Sequence, residues 1–178
     1  MQKLLTAGIA AGAVVASVGL AVAQMAAATP KIDQLPDSIK PTGMSVFLEA
    51  PATGYQVYTC GKNQAGAWAW TLKAPDAELF DTNKKKIGKH YAGPTWEGND
   101  GGKVVAAAKG NAPAPDGKSV AWLLLEVKSH DGNGQLTPAK AVLRVNTSGG
   151  TAPTSGCDEG HANQENRVPY TATYLFLK

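Results

Sequence analysis

The residues best suited to do chemistry in this chain are concentrated at positions 90–102, which read HYAGPTWEGNDGG. This run brings together an imidazole, two carboxylates and two aromatic rings, on His90, Tyr91, Trp96, Glu97 and Asp100. The glycine, proline and asparagine residues between them are typical of turns and irregular loops. Because loops held by a rigid scaffold often carry binding or catalytic residues, the sequence predicts an irregular recognition loop over residues 88–102.

Two interpretations of these polar residues remain open. Imidazole and carboxylate groups bind zinc or copper and transfer protons near neutral pH. On that interpretation, a metal-assisted enzyme would use His90, Glu97 and Asp100, completed by His161. On the structural interpretation, His90 and Tyr91 hydrogen-bond the backbone, Trp96 fills the core, and the two acids cap turns. The chain has only three histidines and no HxH or HExxH spacing, so the structural interpretation is favoured and no cofactor is expected.

Missing motifs argue against several classes of enzyme and partner. The sequence contains no GxSxG nucleophile elbow, no Walker lysine spacing and no GxGxxG turn, which makes a serine hydrolase or a nucleotide-dependent enzyme a poor fit. The net charge is only +3, and lysines cluster only at residues 84–86 and 89. A nucleic-acid-binding face needs a denser basic patch, so we do not expect a nucleic-acid partner.

The N-terminus has the pattern of an export signal. Lys3 precedes an apolar run from Leu4 to Val22, and the sequence Ala-Val-Ala at 21–23 matches the small residues at a signal-peptidase site. We predict a signal peptide over residues 1–23 (with an alternative cleavage after residue 28), an N-terminal extension over 24–43 and one domain over 44–178. Because the run is rich in alanine and glycine, a retained membrane anchor is disfavoured. The mature protein is therefore expected to be secreted or periplasmic, without a transmembrane segment.

The chain has two cysteines, Cys60 and Cys157, and both fall in the predicted mature part. An even number of cysteines in an exported protein favours a disulfide, and only one pairing is possible here. Free buried thiols or metal ligands are the alternatives, although the absence of a CxxC spacing disfavours zinc. Closing a loop of about 97 residues would stabilise the fold by roughly 4–5 kcal/mol in the chain-entropy model.

The mature chain reads as short strands separated by turns. Strand candidates rich in β-branched or aromatic residues and bounded by turn formers lie at 44–50, 55–60, 67–73, 77–81, 103–108, 120–129, 139–146 and 170–177. The 120–127 segment is almost continuously apolar, which predicts a strand buried on both faces. Residues 110–117 and 148–167 are predicted to be long loops, and only 33–40 could hold a helical turn. This pattern predicts an all-β fold, a single β-sandwich or a flattened barrel with long loops and one disulfide.

Several blocks of the sequence occur in an order that resembles one family. The blocks are VYTC at 57–60, APDA at 74–77, GKHYAGPTWE at 88–97, WLL at 122–124, RVNTSGGTAP at 144–153 and YTA at 170–172. Over roughly residues 40–178, the chain resembles the secreted bacterial and fungal proteins grouped as domain of unknown function 3455. The resemblance implies an extracytoplasmic single domain, and it identifies no catalytic residue because no activity is established for the family.

The aromatic residues favour binding over catalysis. Seven rings stand out for a domain of this size: Trp68, Trp70, Trp96, Trp122, Tyr55, Tyr58 and Tyr91. Although core packing accounts for most of them, flat rings exposed on a β-sheet commonly bind sugars or peptides. We therefore predict an extracytoplasmic binding or envelope-associated module that uses the 88–102 loop to hold a ligand such as a glycan or a peptide. A metal-assisted enzyme and a purely structural envelope protein are the alternatives.

Overall fold

Eight β-strands and three short 3-10 turns make up the described part of the chain. The structure is a computed structural model and describes residues 28–178; the predicted signal peptide lies outside the described residues. The strands are β1 (Val46–Lys62), β2 (Trp68–Phe80), β3 (Lys86–Tyr91), β4 (Thr95–Gly98), β5 (Lys103–Ala112), β6 (Trp122–Asp131), β7 (Ala141–Gly149) and β8 (Glu165–Leu177). The 3-10 turns are Ile32–Gln34, Asp37–Ile39 and Glu159–His161.

The strands form one antiparallel sheet that closes into a ring. Each strand pairs with the next along the chain, and β8 pairs with β1 to close the circle. In that closing pair, Ala52 lies opposite Ala172 and Gly54 lies opposite Tyr170. Closure gives β1 a partner on both sides over residues 52–59 and β8 over residues 170–177, where an open sheet would present unpaired N–H and C=O groups. The all-β prediction is confirmed, and the ring corresponds to the flattened barrel of the two predicted forms.

Successive side chains of a strand point alternately into and out of the ring, so the buried residues form an inner core inside the ring and an outer core on its surface. Tyr170, Ala172, Tyr174 and Phe176 of β8 are buried in the inner core, whereas Leu175 and Leu177 belong to the outer core. The outer core is covered by the N-terminal segment, which contributes Leu35, directly after its first 3-10 turn, and Ile39 of its second. The helical turn predicted within 33–40 is thus present, and it packs against β5 and β6.

This cover explains the continuous apolar run in β6. Leu125 is buried in the inner core, while Trp122 and Leu124 are buried in the outer core beneath the N-terminal segment. Both faces of the strand are therefore largely removed from water over residues 122–125, and alternation with polar residues is not required there. The prediction of a strand buried on both sides is confirmed.

Two predicted strand boundaries are wrong, because β1 and β2 are longer than their patterns indicate. The segments 44–50 and 55–60 join into the single strand β1, and 67–73 and 77–81 join into β2. Gly54 permits a close approach here, since a Cβ at this position would lie 2.2 Å from the carbonyl oxygen of Asp76. Pro75 pairs with β1 on one side only, so its missing N–H interrupts no second ladder.

The predicted disulfide is present. Cys60 and Cys157 are bonded, with a sequence separation of 97 and Cα atoms 5.4 Å apart. The bond fastens the 150–164 loop to the end of β1, where Cys60 N–H also donates to the Gln164 carbonyl at 2.9 Å. Trp70 Nε1 donates to the Ser155 carbonyl of the same loop at 2.9 Å. A long glycine-rich segment is thereby held against the sheet.

One wall of the ring is incomplete. β3 pairs with β2 only from Ala77 to Phe80, and β4 pairs with β5 only opposite residues 103–105. Beyond the 92–94 turn, the facing edges of β2 and β5 therefore have no strand between them. We call this gap, bordered by residues 72–75, 92–94 and Ala108, the side opening. Short strands at this one place give the interior a lateral route to solvent.

Candidate functional site

Residues 88–102 form two tight hairpins, so the prediction of an irregular loop is wrong. β3 and β4 are joined by the 92–94 turn, and a second turn at 99–102 leads into β5. His90 pairs with Trp96 across the first hairpin, and Lys89 pairs with Glu97. Because successive side chains of a strand point to opposite faces, the first pair enters the ring and the second lies outside. The alternation of inward and outward side chains in residues 89–91 and 95–97 is the sequence signal for these strands, and the neighbouring glycines and proline obscure it.

His90 is a neutral, buried hydrogen-bonding group. Its side chain is 3% exposed, and Nδ1 lies 2.8 Å from the carbonyl oxygen of Thr95. Because a carbonyl can only accept, Nδ1 carries the proton and Nε2 is left as an acceptor. Burial lowers the pKa of His90 to about 3, outweighing the Thr95 hydrogen bond that favours the charged form. The ring is therefore uncharged at neutral pH.

A cluster of aromatic rings surrounds this imidazole. His90 stacks on Trp96 with ring centroids 4.4 Å apart and an interplanar angle of 12°. Tyr174 meets both rings edge-on, at 4.9 Å from His90 and 5.4 Å from Trp96. Trp96 is fully buried, so its ring lies in the interior and is not exposed on the surface of the sheet. The cluster forms a flat, largely apolar wall with polar atoms at its edges.

The cluster borders a cavity of about 290 Å³ that reaches the side opening. Its apolar lining comes mainly from the opening and from β6, with Leu72, Ala74, Pro75, Ala92, Gly93, Pro94, Ala108, Leu123 and Leu125. Its polar lining consists of Gln56, Lys73, His90, Trp96, Arg144 and Tyr174. Apolar walls with a few converging polar groups are the usual form of a small-ligand site. We therefore take this cavity as the candidate functional site.

Arg144 supplies a positive charge to the cavity. On β7 it lies between Leu143 and Val145, which are both fully buried on the outer side, so Arg144 occupies an inward position opposite Tyr174. Its Nε and Nη2 donate to the Ala121 carbonyl at 3.1 and 2.8 Å. Within residues 28–178, no carboxylate forms a salt bridge with it. Sequence reasoning missed this residue, although an arginine inside an apolar alternating strand is a recognisable signal.

Two buried donors at the cavity have no hydrogen-bond partner among the described residues. They are Nε2 of Gln56 and Nε1 of Trp96, on side chains that are 1% and 0% exposed. Gln56 Nε2 lies near the Tyr170 hydroxyl, whose pKa is raised mainly by burial, but the contact does not meet hydrogen-bond geometry. Buried polar atoms are normally paired, and unpaired ones cost about 1–3 kcal/mol each. The interior thus retains unused hydrogen-bonding capacity.

Tyr91 and Glu97 lie on the opposite, outer face of the hairpin. The Tyr91 hydroxyl donates to Glu97 Oε2 at 2.6 Å, and Lys89 approaches Glu97 Oε1 at 3.4 Å. The Tyr91 hydrogen bond is the largest cause of a lowered pKa at Glu97. Exposed networks of this kind contribute little to stability. Of the five predicted binding residues, Tyr91 and Glu97 therefore lie on the outer face, whereas His90 and Trp96 face inward.

Asp100 and His161 lie in separate surroundings. Asp100 accepts from Gln135 N at 2.7 Å and from Gly102 N at 3.2 Å, which fastens the 99–102 turn to the β6–β7 connection. His161 lies in the disulfide-fastened loop, with Nδ1 2.7 Å from Asp158 Oδ1. No three His, Cys, Asp or Glu side chains in residues 28–178 are grouped so that they could hold a metal ion. The four residues of the metal interpretation are not brought together.

A larger groove of about 630 Å³ lies on the outside of β1, β2 and β8. Its charged groups already satisfy one another, since Arg167 lies 2.6 Å from Asp76 and its guanidinium covers the Tyr55 ring at 4.6 Å. The groove offers exposed, internally paired side chains, whereas the interior cavity offers buried, unpaired ones. Despite its smaller volume, the interior cavity is chemically the stronger candidate.

Comparison with known proteins gives a family and no function. No curated protein and no solved structure matches the chain. A family model described as "Protein of unknown function (DUF3455)" matches residues 41–178. These residues include all eight strands and every residue that lines the cavity. The chain therefore belongs to the DUF3455 family of proteins of unknown function.

Proposed function

We propose that this protein is an exported binding protein that takes a small, largely apolar ligand into the interior of its ring. The observation that carries the proposal is the cavity of about 290 Å³, in which polar side chains converge between apolar walls. Small eight-stranded antiparallel rings have interiors that side chains fill or that hold one small ligand. The recognition element is the inward face of the 88–102 segment, through His90 and Trp96.

Cavity size limits the ligand. Small-molecule sites usually occupy about 300–1,000 Å³, so this cavity of about 290 Å³ lies just below that range. A single ring with a short substituent fits such a volume, whereas a long glycan or peptide would have to remain largely outside. The stacked His90 and Trp96 rings favour a flat body, since offset and edge-on ring contacts add about 0.5–1.5 kcal/mol beyond burial.

The state of His90 favours binding over proton transfer. A general acid or base is most effective when its pKa lies near the working pH. With a pKa of about 3, His90 is almost entirely unprotonated at pH 7 and is too weakly basic to remove protons effectively. Its unprotonated Nε2 is better suited to accept a hydrogen bond from a ligand.

The side opening supplies the route of entry. Leu72 is 51% exposed on its rim, which is a large exposure for a leucine next to an apolar cavity. The opposite rim is the Gly93-Pro94 turn, where Gly93 has a φ of +135° and a Cβ would lie 2.4 Å from Thr95 Oγ1. A rim with one exposed apolar side and one constrained turn fits an entrance for apolar molecules.

Export is supported by the sequence and the disulfide. The predicted signal peptide precedes the described residues, and disulfides persist mainly in oxidising compartments. Among residues 28–178, no helix combines the length and apolar character needed to span a membrane. We propose a secreted or periplasmic location, in which a small ligand would be met outside the cytoplasm.

The proposal can be tested with three probes that share one ring: phenylacetate, 2-phenylethanol and 2-phenylethylamine. Ligands of about ten non-hydrogen atoms reach a Kd of about 1 mM at roughly 0.4 kcal/mol per atom. Titration into ¹⁵N-labelled protein should shift the Trp96 indole N–H signal for at least one probe. If none of the three perturbs that signal at about ten times this concentration, the proposal is wrong.

A matched pair of variants locates the site. Ala108 and Ala107 are neighbouring exposed alanines of β5, and only Ala108 lines the cavity. Ala108→Phe should block the side opening and weaken probe binding about tenfold or more, which is the loss of about 1.4 kcal/mol. Ala107→Phe should leave the affinity unchanged. Equal affinities in the two variants would place the binding elsewhere.

A further inference from the structure

We infer that the ligand of the interior cavity is a small organic anion, recognised through its carboxylate by Arg144. This inference rests on the proposed function and specifies the class of ligand. Three observations support it: the sign of the charge in the cavity, the excess of unpaired donors, and the place of Arg144 beside the aromatic wall.

The cavity lining is basic and contains no acidic side chain. Two of its residues carry a positive charge, Lys73 and Arg144, and none is aspartate or glutamate. Lys73 is paired with Glu165 at the surface. Arg144 forms no salt bridge within residues 28–178. Burial raises the pKa of Tyr174 well above its ordinary value and lowers that of His90, and the positive charge of Arg144 opposes the first shift and adds to the second. In this enclosure, an anion would be attracted and a cation repelled.

The buried polar atoms that have no hydrogen-bond partner also favour an anion. Gln56 Nε2 and Trp96 Nε1 are both donors, and an indole nitrogen can only donate. Arg144 carries five N–H donors, of which Nε and Nη2 each direct one to the single acceptor Ala121 O. A ligand rich in acceptors complements such a set, and a carboxylate can accept up to about four hydrogen bonds.

Arginine is suited to this role by its shape. Its planar guanidinium matches the two oxygens of a carboxylate, and a partly buried charge without a counter-ion is costly. Tyr174 lies opposite Arg144 in the strand register and also contacts the His90 and Trp96 rings. A ligand whose carboxylate meets Arg144 would therefore place its flat body against the aromatic wall.

Comparison of the three probes tests this inference directly, because they differ mainly in the charge of the head group. Phenylacetate should bind about tenfold or more tightly than 2-phenylethanol, since hydrogen bonds to charged groups are stronger than neutral ones. 2-Phenylethylamine should bind most weakly. Equal affinity for all three, or preference for the amine, would overturn the anion inference while leaving the cavity as a binding site. No binding of any probe would overturn both proposals.

Arg144→Met and Arg167→Met provide the matched variants. Arg144→Met should reduce phenylacetate affinity about tenfold or more, to the level of 2-phenylethanol, and should leave 2-phenylethanol binding unchanged. Arg167 lies on the outer groove, so Arg167→Met should change none of the three affinities. If Arg144→Met retained the preference for phenylacetate, Arg144 would not be the recognition group. Should that variant fail to fold, the order of the three probes on the wild-type protein still decides the inference.

Gln56→Leu separates a ligand role from a structural one. Removing an unpaired buried donor should leave the free energy of unfolding unchanged or raise it, while phenylacetate affinity falls several-fold. A loss of stability without a change in affinity would show that Gln56 serves the fold, and it would remove one of the three supports of the inference.

Discussion

Acidification from pH 7 to pH 5 is expected to destabilise this protein through His90. The ring is 3% exposed, and burial lowers its pKa to about 3 in the folded state. In the unfolded chain the imidazole titrates at about 6.5. Between these two values the unfolded state binds a proton that the folded state does not. The contribution of His90 to stability is therefore present above about pH 6.5 and is lost as the pH falls towards 3.

The magnitude follows from the two pKa values. Well inside the window, one proton is taken up on unfolding, and the free energy of unfolding falls by about 1.4 kcal/mol per pH unit. From pH 7 to pH 5 the loss is about 2 kcal/mol, because the unfolded histidine is only partly protonated near its own pKa. Carboxylates such as Asp116, whose hydrogen bonds to Ser119 and Lys118 lower its pKa to about 2, titrate mainly below this range.

Urea denaturation at pH 7, 6 and 5, followed by tryptophan fluorescence, measures the loss. His90→Phe keeps an aromatic ring against Trp96 but cannot titrate, so its free energy of unfolding should change little over the same range. His161→Gln serves as the control at an exposed histidine and should retain the wild-type pH dependence. A wild-type change below about 0.5 kcal/mol between pH 7 and pH 5 would refute the buried, neutral His90, given the 2 kcal/mol expected from linkage.

Two further predictions concern the packing of β1 and the disulfide. Gly54→Ala should lower the free energy of unfolding by about 3 kcal/mol, because its Cβ would lie 2.2 Å from the carbonyl oxygen of Asp76. Gly61→Ala is the control, since no atom lies within 4 Å of the new methyl group. Its free energy of unfolding should stay within about 0.5 kcal/mol of wild type. Urea denaturation of both variants checks this, and equal effects would contradict the close approach. Reduction of the Cys60–Cys157 bond, which joins residues 97 positions apart, should lower the free energy of unfolding by about 4–5 kcal/mol. Urea denaturation with and without reductant measures this loss. A difference below about 1 kcal/mol would contradict the chain-entropy account.

The sequence was a reliable guide where the signal is local. Alternation in β8 correctly places Tyr170, Tyr174 and Phe176 on one face, and the apolar run of β6 correctly indicates burial on both sides. The disulfide could be predicted because two cysteines allow one pairing. The first two inferences use residues that are near one another in the chain, and the third uses only the number of cysteines. None of the three requires knowledge of which strands become neighbours.

The 90–102 segment shows where local reasoning fails. Its glycines and proline predict a loop, yet β3 and β4 form because Lys86–Tyr91 and Thr95–Gly98 find partners in β2 and β5. Pairing also decides that His90 and Trp96 enter the ring while Tyr91 and Glu97 remain outside. Alternation alone divides these residues into two sets, but it does not say which set is buried.

The amino-acid sequence by itself determined the strand-rich class, the cysteine pairing, the family and the segment that carries the aromatic and imidazole groups. Only the tertiary structure decided that the sheet closes through β1 and β8, that a gap remains between β2 and β5, and that Arg144 shares a cavity with His90 and Trp96. The physical reason is that strand pairing is made between residues far apart in the chain. The environment of a side chain, and with it the burial that sets the pKa of His90, exists only once those distant strands have met.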